Sequence, residues 1–429
     1  MKFTAVGDIL PQKRLPEDYQ GFSELRDFIM QGDARFFNFE STINREGECF
    51  ASQFSGGTYI RCNPEVYEDM LSFGFNMTNL NQNHAMDFSY EGFYSSYEAL
   101  RDSGIVHAGV GMNLGEAAAP RYLETKAGRV GLVSVNTSFS APMMAGEQTG
   151  RIMGRPGING ITVQRKLVME KKDFEAVQAA VEKTNVNGYN RILINEGYAL
   201  PPEEGVYEFM GVTVLCGEES GVQYEPSAKD VSRVISAIRE AKQSADYVFV
   251  SLHNHQVVGE DKSEVPKFLE ELCHRFIDEG ADAIVGHGPH LLRAIEIYKE
   301  RPIFYSLGDF LVQLYDVPFA PAEFYAKYGV DNREPAIELL KKRSHNFTRG
   351  LMADVQMLEA VIPYWETDES GRLTKLVLKP TLASVGNGKA LEGLPQPNSG
   401  DGFFERLKEL CAKHGTVLQR EGDLFKVVI

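Results

Sequence analysis

The stretch Ile284-Val-Gly-His-Gly-Pro-His290 constrains this chain more than any other. Ala283-Ile-Val is an apolar run of the length of a short buried strand, and it empties into a glycine-rich turn carrying His287 and His290. Small residues between the imidazoles let the backbone bend, so both rings can point at one spot beyond a strand end. A second apolar run, Ile303-Phe-Tyr-Ser-Leu, reads as a neighbouring strand with Asp309 just past its end. Four other segments repeat the design: Val6-Gly-Asp8, Phe37-Asn-Phe-Glu40, Leu80-Asn-Gln-Asn-His84 and Val250-Ser-Leu-His253-Asn-His255. Each is an apolar run ending in a carboxylate, an amide or an imidazole, which is how a metal site is built on an α/β sheet.

The order of elements supports that class. Strands are expected over 2–6, 35–39, 75–80 and 105–109, with helices over 22–31, 64–73 and 90–103 between them. Strand and helix in alternation argue for an α/β fold. Arg121–Thr125 and Val130–Val135 flank Gly128 as a hairpin, and 246–252 is a buried strand followed by a helix over 265–279. Residues 137–225 are less regular and read as an insertion or lid, with a Gly-, Pro- and Met-rich loop over 138–160. After Phe310 the character changes. Helices over 318–342, strands over 351–358 and 372–382, a turn region over 387–401, a helix over 403–414 and a closing strand over 425–429 suggest a separate α+β extension, 316–429, following a domain of 1–315.

Net charge is -16, which disfavours nucleic acid and anionic membrane surfaces as partners, although a local cation site still attracts phosphate. The five cysteines are scattered and show no CxxC spacing, so they read as reduced and structural. No leader-like h-region or membrane-spanning run is visible, and the chain as it stands reads as cytoplasmic.

The chemistry falls on a short set of side chains. Asp8, after Gly7, is a hard oxygen ligand or equally a turn aspartate. Glu40 has apolar neighbours, and a carboxylate there needs a partner. Asn81, Gln82, Asn83 and His84 are four polar side chains in a row, suited to a site-lining loop in which Asn83 ligates and His84 donates a proton. Asp87 either orients His84 or caps the next helix. His253 and His255 alternate along an extended segment, so their rings should face opposite sides. His253 is the expected ligand, and His255 and Asp309 are further candidates. His107, His274, His345 and His414 need no role. Mixed hard oxygen and imidazole donors suit Mn, Fe or Zn, and one or two such ions could hold a phosphoryl oxygen beside a water.

Gly7-Asp8, Asn38-Phe-Glu40, Asn83-His84-Ala-Met-Asp87, Ser251-Leu-His253, the turn from Gly286 to His290 and Tyr305-Ser-Leu-Gly-Asp-Phe310 occur in this order. Together they resemble the CapA-type poly-γ-glutamate (capsule) synthesis family, within the calcineurin-like metallophosphoesterase superfamily. The resemblance covers roughly residues 2–315. It implies a four-layer αββα sandwich with a dinuclear metal site at the strand ends. By that resemblance Asp8 is a first-metal carboxylate, Glu40 stands where a bridging Asp is usual, Asn83 and His253 are second-metal ligands, and His84 is the catalytic histidine. His287 and His290 stand at or beside the final histidine motif. Leu10 occupies a position where the superfamily has His, Gly288 takes another, and Asp309 replaces a commoner Asn. One metal subsite is therefore expected to be weak, absent or rebuilt from His287, His255 or Asp309. The resemblance implies a role in capsule or poly-γ-glutamate synthesis without a defined reaction, and the site residues point to a metal-dependent, phosphoesterase-like hydrolase acting on a phosphorylated small molecule or an anionic polymer. The alternative is a protein that binds such a polymer, or assists its synthesis, without hydrolysis.

Overall fold

A computed structural model describes every residue except 18, 203–205 and 386–390. It is a mixed α/β protein whose contacts divide it into two units: 1–160 with 232–429, and 161–231.

The first unit is built on two large sheets. In one, Lys2–Leu10, Ala34–Phe39, Met77–Asn79 and Val106–Ala108 lie side by side and parallel. Parallel neighbours need a crossover between them. The helices Phe22–Ile29, Pro64–Leu71 and Ser89–Asp102 supply it, as their apolar spacing predicts. In the other sheet Gly128–Asn136, Tyr247–His253, Ala283–His287 and Arg301–Phe304 are parallel, with antiparallel strands Arg121–Thr125 and Ile295–Tyr298 at the two edges.

Strands covered on both faces read as continuous apolar runs, and Tyr247–His253 and Ala283–His287 are buried throughout. Phe3 and Phe36 of the first sheet share one core with Phe249 and Val285 of the second. Trp365 sits at its centre, fully buried and stacked on Phe3 at 5.1 Å, with its indole N–H donating to the Tyr247 hydroxyl at 3.0 Å.

The expected division near residue 315 does not occur. Glu359–Thr367 pairs antiparallel with Lys2–Leu10, and Leu373–Ala383, Leu424–Val427 and Leu418–Glu421 extend the same sheet outward. Asp309–Val312 also pairs with Lys2–Leu10, in parallel. The edge of the first strand is thus closed by residues more than three hundred positions away, a pairing that local sequence does not announce. Residues 351–358, expected as a strand, hold only the short helix Val355–Leu358, capped by the Asp354 side chain on the Gln356 N–H. The turn region expected over 387–401 lies in part outside the described residues, and its remainder contains the strand Pro395–Pro397.

The second unit is narrower than the insertion expected over 137–225. It is a four-stranded sheet in the order Tyr207–Phe209, Val212–Gly217, Val163–Glu170, Gly221–Pro226, with helices Lys171–Thr184 and Gly188–Asn195. The loop over 138–160 belongs to the first unit, where Gly157–Ile158 pairs with Val110–Gly111.

Truncating Trp365 to Ala removes the shared centre of the two sheets. The expected cost is about 3–5 kcal/mol, measured as a lower denaturant midpoint; a loss under about 1 kcal/mol would contradict that placement.

Candidate metal centre

The polar residues gather at the carboxyl ends of the parallel strands. The first strand carries Gly7-Asp8 past an irregularity in its pairing, where Asp8 lies opposite Asn38 on one side and Asp309 on the other. Gly7 is required for this approach, because a Cβ there would stand 1.9 Å from the Gly308 carbonyl oxygen. The Asn38 amide and the Gly288 N–H both donate to Asp8, the latter at 2.9 Å.

Glu40 follows the second strand and is fully buried. Neither of its oxygens has a hydrogen-bond partner among the described residues. Three imidazoles face it instead: its Oε1 lies 3.7 Å from His290 Nε2, 3.8 Å from His84 Nε2 and 4.0 Å from His253 Nε2. On one side, His290 Nδ1 is 2.9 Å from Asp309 Oδ1 and 4.0 Å from Asp8 Oδ2. On the other, His253 Nε2 lies 2.7 Å from Asn83 Oδ1 and 3.0 Å from His255 Nε2. Donor atoms of Asp8, His290 and Asp309 fall within 4.8 Å of one another, as do those of Glu40, His253 and His255, and those of Asp8, His253 and His287.

His255 does not face away from His253. The strand ends at His253, and the backbone leaves the extended path before alternation can turn the second ring outward. Arg293, also fully buried, holds that departure in place. Its guanidinium donates to the Asn254 side chain at 2.6 Å, to the Gln256 carbonyl at 2.6 Å and to the Lys262 carbonyl at 2.8 Å. Nothing in the local sequence singles out Arg293, and the motifs that contain Asn38 and Ser251 do not announce what these two side chains touch. Their roles follow from pairing between distant strands.

His287 stands behind His253. Its Nδ1 lies 2.9 Å from His253 Nδ1 and its Nε2 2.8 Å from Ser251 Oγ. Asp87 stands behind His84, with Oδ2 at 2.7 Å from Nδ1, and accepts from the backbone N–H groups of Ile60 and Gly56. Gly288 cannot carry a side chain here: its φ is +111°, and a Cβ would lie 2.6 Å from the Asn254 carbonyl oxygen. Leu10 packs with Ile60 and Val312 and contributes nothing to the cluster. A further group, Glu270, His274 and Glu296, is partly buried and is already closed by a 2.9 Å bond between His274 and Glu296.

Electrostatics follow from burial. Desolvation, then repulsion from Asp309, pushes Asp8 up to about 6. Desolvation, then Asp8 and Asp309, pushes Glu40 well above the carboxylate range. Burial holds His253 and His255 well below the usual histidine value, and brings His287 down to about 3. His290 moves up, because Asp309 and Asp8 outweigh the desolvation that opposes it. A carboxylate withdrawn from water without a donor is costly unless it is neutralised by a proton or a cation. Hard oxygens interleaved with neutral imidazoles are the donor set of a divalent transition metal, so these residues fit one.

The model of bacterial capsule synthesis protein PGA_cap matches residues 2–314. The chain belongs to this family. The PGA_cap match spans the whole cluster, from Asp8 to Asp309. Among relatives, a Sinorhizobium fredii protein named y4sH is 32% identical over 96% of this chain and 89% of its own. The capsule biosynthesis protein CapA of Bacillus anthracis is 23% identical over 72% of this chain and 59% of its own. A probable polyglutamine synthesis accessory protein of Mycobacterium tuberculosis is 25% identical over 65% of this chain and 55% of its own. No helix among the described residues is long and apolar enough to cross a membrane.

Glu40→Gln tests the charge balance. The amide finds acceptors in the surrounding carboxylates and imidazoles, so the chelated variant should be more stable than chelated wild type by about 1 kcal/mol, the scale of one buried hydrogen bond. Its metal content should fall. A lower unfolding midpoint in chelator would contradict this balance.

Proposed function

We propose that the protein is a metal-dependent hydrolase of phosphoesterase type, working in the synthesis or processing of a capsule or poly-γ-glutamate-like anionic polymer. The observation that carries this reading is Glu40, a fully buried carboxylate with no hydrogen-bond partner among the described residues, facing His84, His253 and His290. In it, Asp8, Asp309 and His290 would hold one divalent cation and Asn83, His253 and His255 a second, with Glu40 lying between the two sets. Mn, Fe or Zn would serve, at one or two per chain. The chemistry supplied by a bound ion would be Lewis-acid polarisation of a phosphoryl oxygen and acidification of a water.

The chain's own residues do the rest. His84 presents Nε2 to the cluster and gives a proton to the leaving oxygen, while Asp87 behind it fixes the ring and stabilises the imidazolium. Two backbone N–H donors keep Asp87 in place for that task. Asp309, where the family more often has Asn, adds a carboxylate, and His255 adds an imidazole, against the positions filled by Leu10 and Gly288. The αββα sandwich belongs to the same reading. The shared core of the two sheets supports it, as do helices such as Phe22–Ile29 and Lys267–Asp278, each burying one apolar face. The relatives' names bring in the polymer: a phosphorylated precursor or the anionic chain itself is the substrate class. A rival reading, polymer binding without hydrolysis, draws on Leu10 and Gly288 alone.

Elemental analysis of protein purified without chelator, followed by a phosphomonoester and phosphodiester screen, tests this. One or two Mn, Fe or Zn per chain are expected. His84→Ala should lower turnover by about 10²–10⁴-fold at unchanged metal content. Absence of metal even after soaking would sink the hydrolase and leave the binding protein.

A further inference from the structure

We propose that His287 is not a metal ligand but a positioning residue for His253, with Ser251 closing the chain of hydrogen bonds behind it; this rests on the metal reading above. A neutral imidazole carries one N–H and one lone pair. His253 Nε2 is the nitrogen that converges with Asn83 Oδ1 and His255 Nε2, so a cation there needs its lone pair. The ring's proton then sits on Nδ1. His287 Nδ1, at 2.9 Å, is the partner that Nδ1 meets, and it must accept. His287 therefore carries its own proton on Nε2, where Ser251 Oγ at 2.8 Å receives it. The Asn79 side-chain amide packs against both atoms, its Nδ2 donating to that oxygen at 2.5 Å and lying 3.3 Å from His287 Nε2.

Strand register builds this chain. Ser251 and His253 are two apart on one strand and so share a face. His287 is paired directly opposite His253 on the neighbouring parallel strand. His253, His287 and Ser251 are all fully buried, so water does not compete for these bonds. His287 lies 3.9 Å from Asp8 Oδ1, yet both its nitrogens are already engaged, which separates it from His255 and His290. A buried partner that orients a ligating imidazole and fixes its tautomer typically affects metal affinity by about 10–100-fold when removed.

The test titrates zinc alone into chelator-treated protein and reads stoichiometry and affinity. His287→Leu should hold as many ions at saturation as wild type while binding one of them about 10–100-fold more weakly. His287→Asn, whose Oδ1 can accept from His253 Nδ1–H, should recover most of that loss. One ion fewer at saturation in His287→Leu would make His287 a ligand and overturn the proposal, as would equal affinity in the Leu and Asn variants. Nitrogen-15 NMR of zinc-loaded wild type needs no variant: it should show His253 protonated on Nδ1 and His287 on Nε2, and the opposite tautomers overturn the proposal. Should His287→Leu not fold, Ser251→Ala weakens zinc binding in the same direction, and unchanged affinity there counts against it. Wild-type protein that takes up no zinc removes the metal reading itself, before any variant is compared.

Discussion

Asp8, Glu40 and Asp309 are withdrawn from water into one small volume, and no buried Lys or Arg ammonium or guanidinium bonds to them among the described residues. Like charges in a poorly polarisable interior repel strongly, and each also loses its hydration. Asp8 is eased by two donors, the Asn38 amide and the Gly288 N–H, and Asp309 by His290. Glu40 has neither. The strand that delivers it is paired on both sides, and its own N–H bonds the Ile9 carbonyl at 3.0 Å. In the proposed reading, a cation relieves this unpartnered carboxylate at the meeting point of three imidazoles.

The architecture makes the cluster affordable to assemble. Parallel strands end together, so each delivers one or two side chains to a common edge without any strand having to bend far. Asp8, Glu40 and Asp309 come from the first sheet, and His253, His287 and His290 from the second. The shared aromatic core of Phe3, Phe36, Phe249 and Trp365 holds the two edges in register. Glycines permit the closest approaches: Gly7 lets the first strand reach Gly308, and Gly288 lets the final turn pass under Asn254. The same crowding that excludes a side chain at Gly288 leaves its N–H free to bind Asp8, so what looks like a lost ligand position is a hydrogen-bond donor.

Much of the first sheet was legible from local pattern. The runs ending at Asp8 and Glu40 are largely apolar because both faces are covered, as is the run ending at His253 in the second sheet, and the helices between them carry one apolar stripe each. The site residues could be listed because a polar residue after such a run has few bland explanations. His255 was misplaced because period-two alternation holds only while the strand continues, and this strand stops at His253. The boundary near 315 was misplaced for a related reason. Composition changes there, but Glu359–Thr367 returns to pair with Lys2–Leu10, and strand partners so far apart leave no trace in any window of sequence.

Sequence alone determined the alternating α/β order and the identity of the carboxylates, amides and imidazoles at the strand ends, because each of these is a property of short stretches of chain. Tertiary structure decided which of those groups meet. It turned His255 inward, placed His287 behind His253 with both nitrogens engaged, and buried Arg293 beneath the loop that carries His255. It also left Glu40 without a donor. These are outcomes of pairing between strands far apart in the chain, and within those strands a shift of one residue would send His253 and His287 to the opposite face.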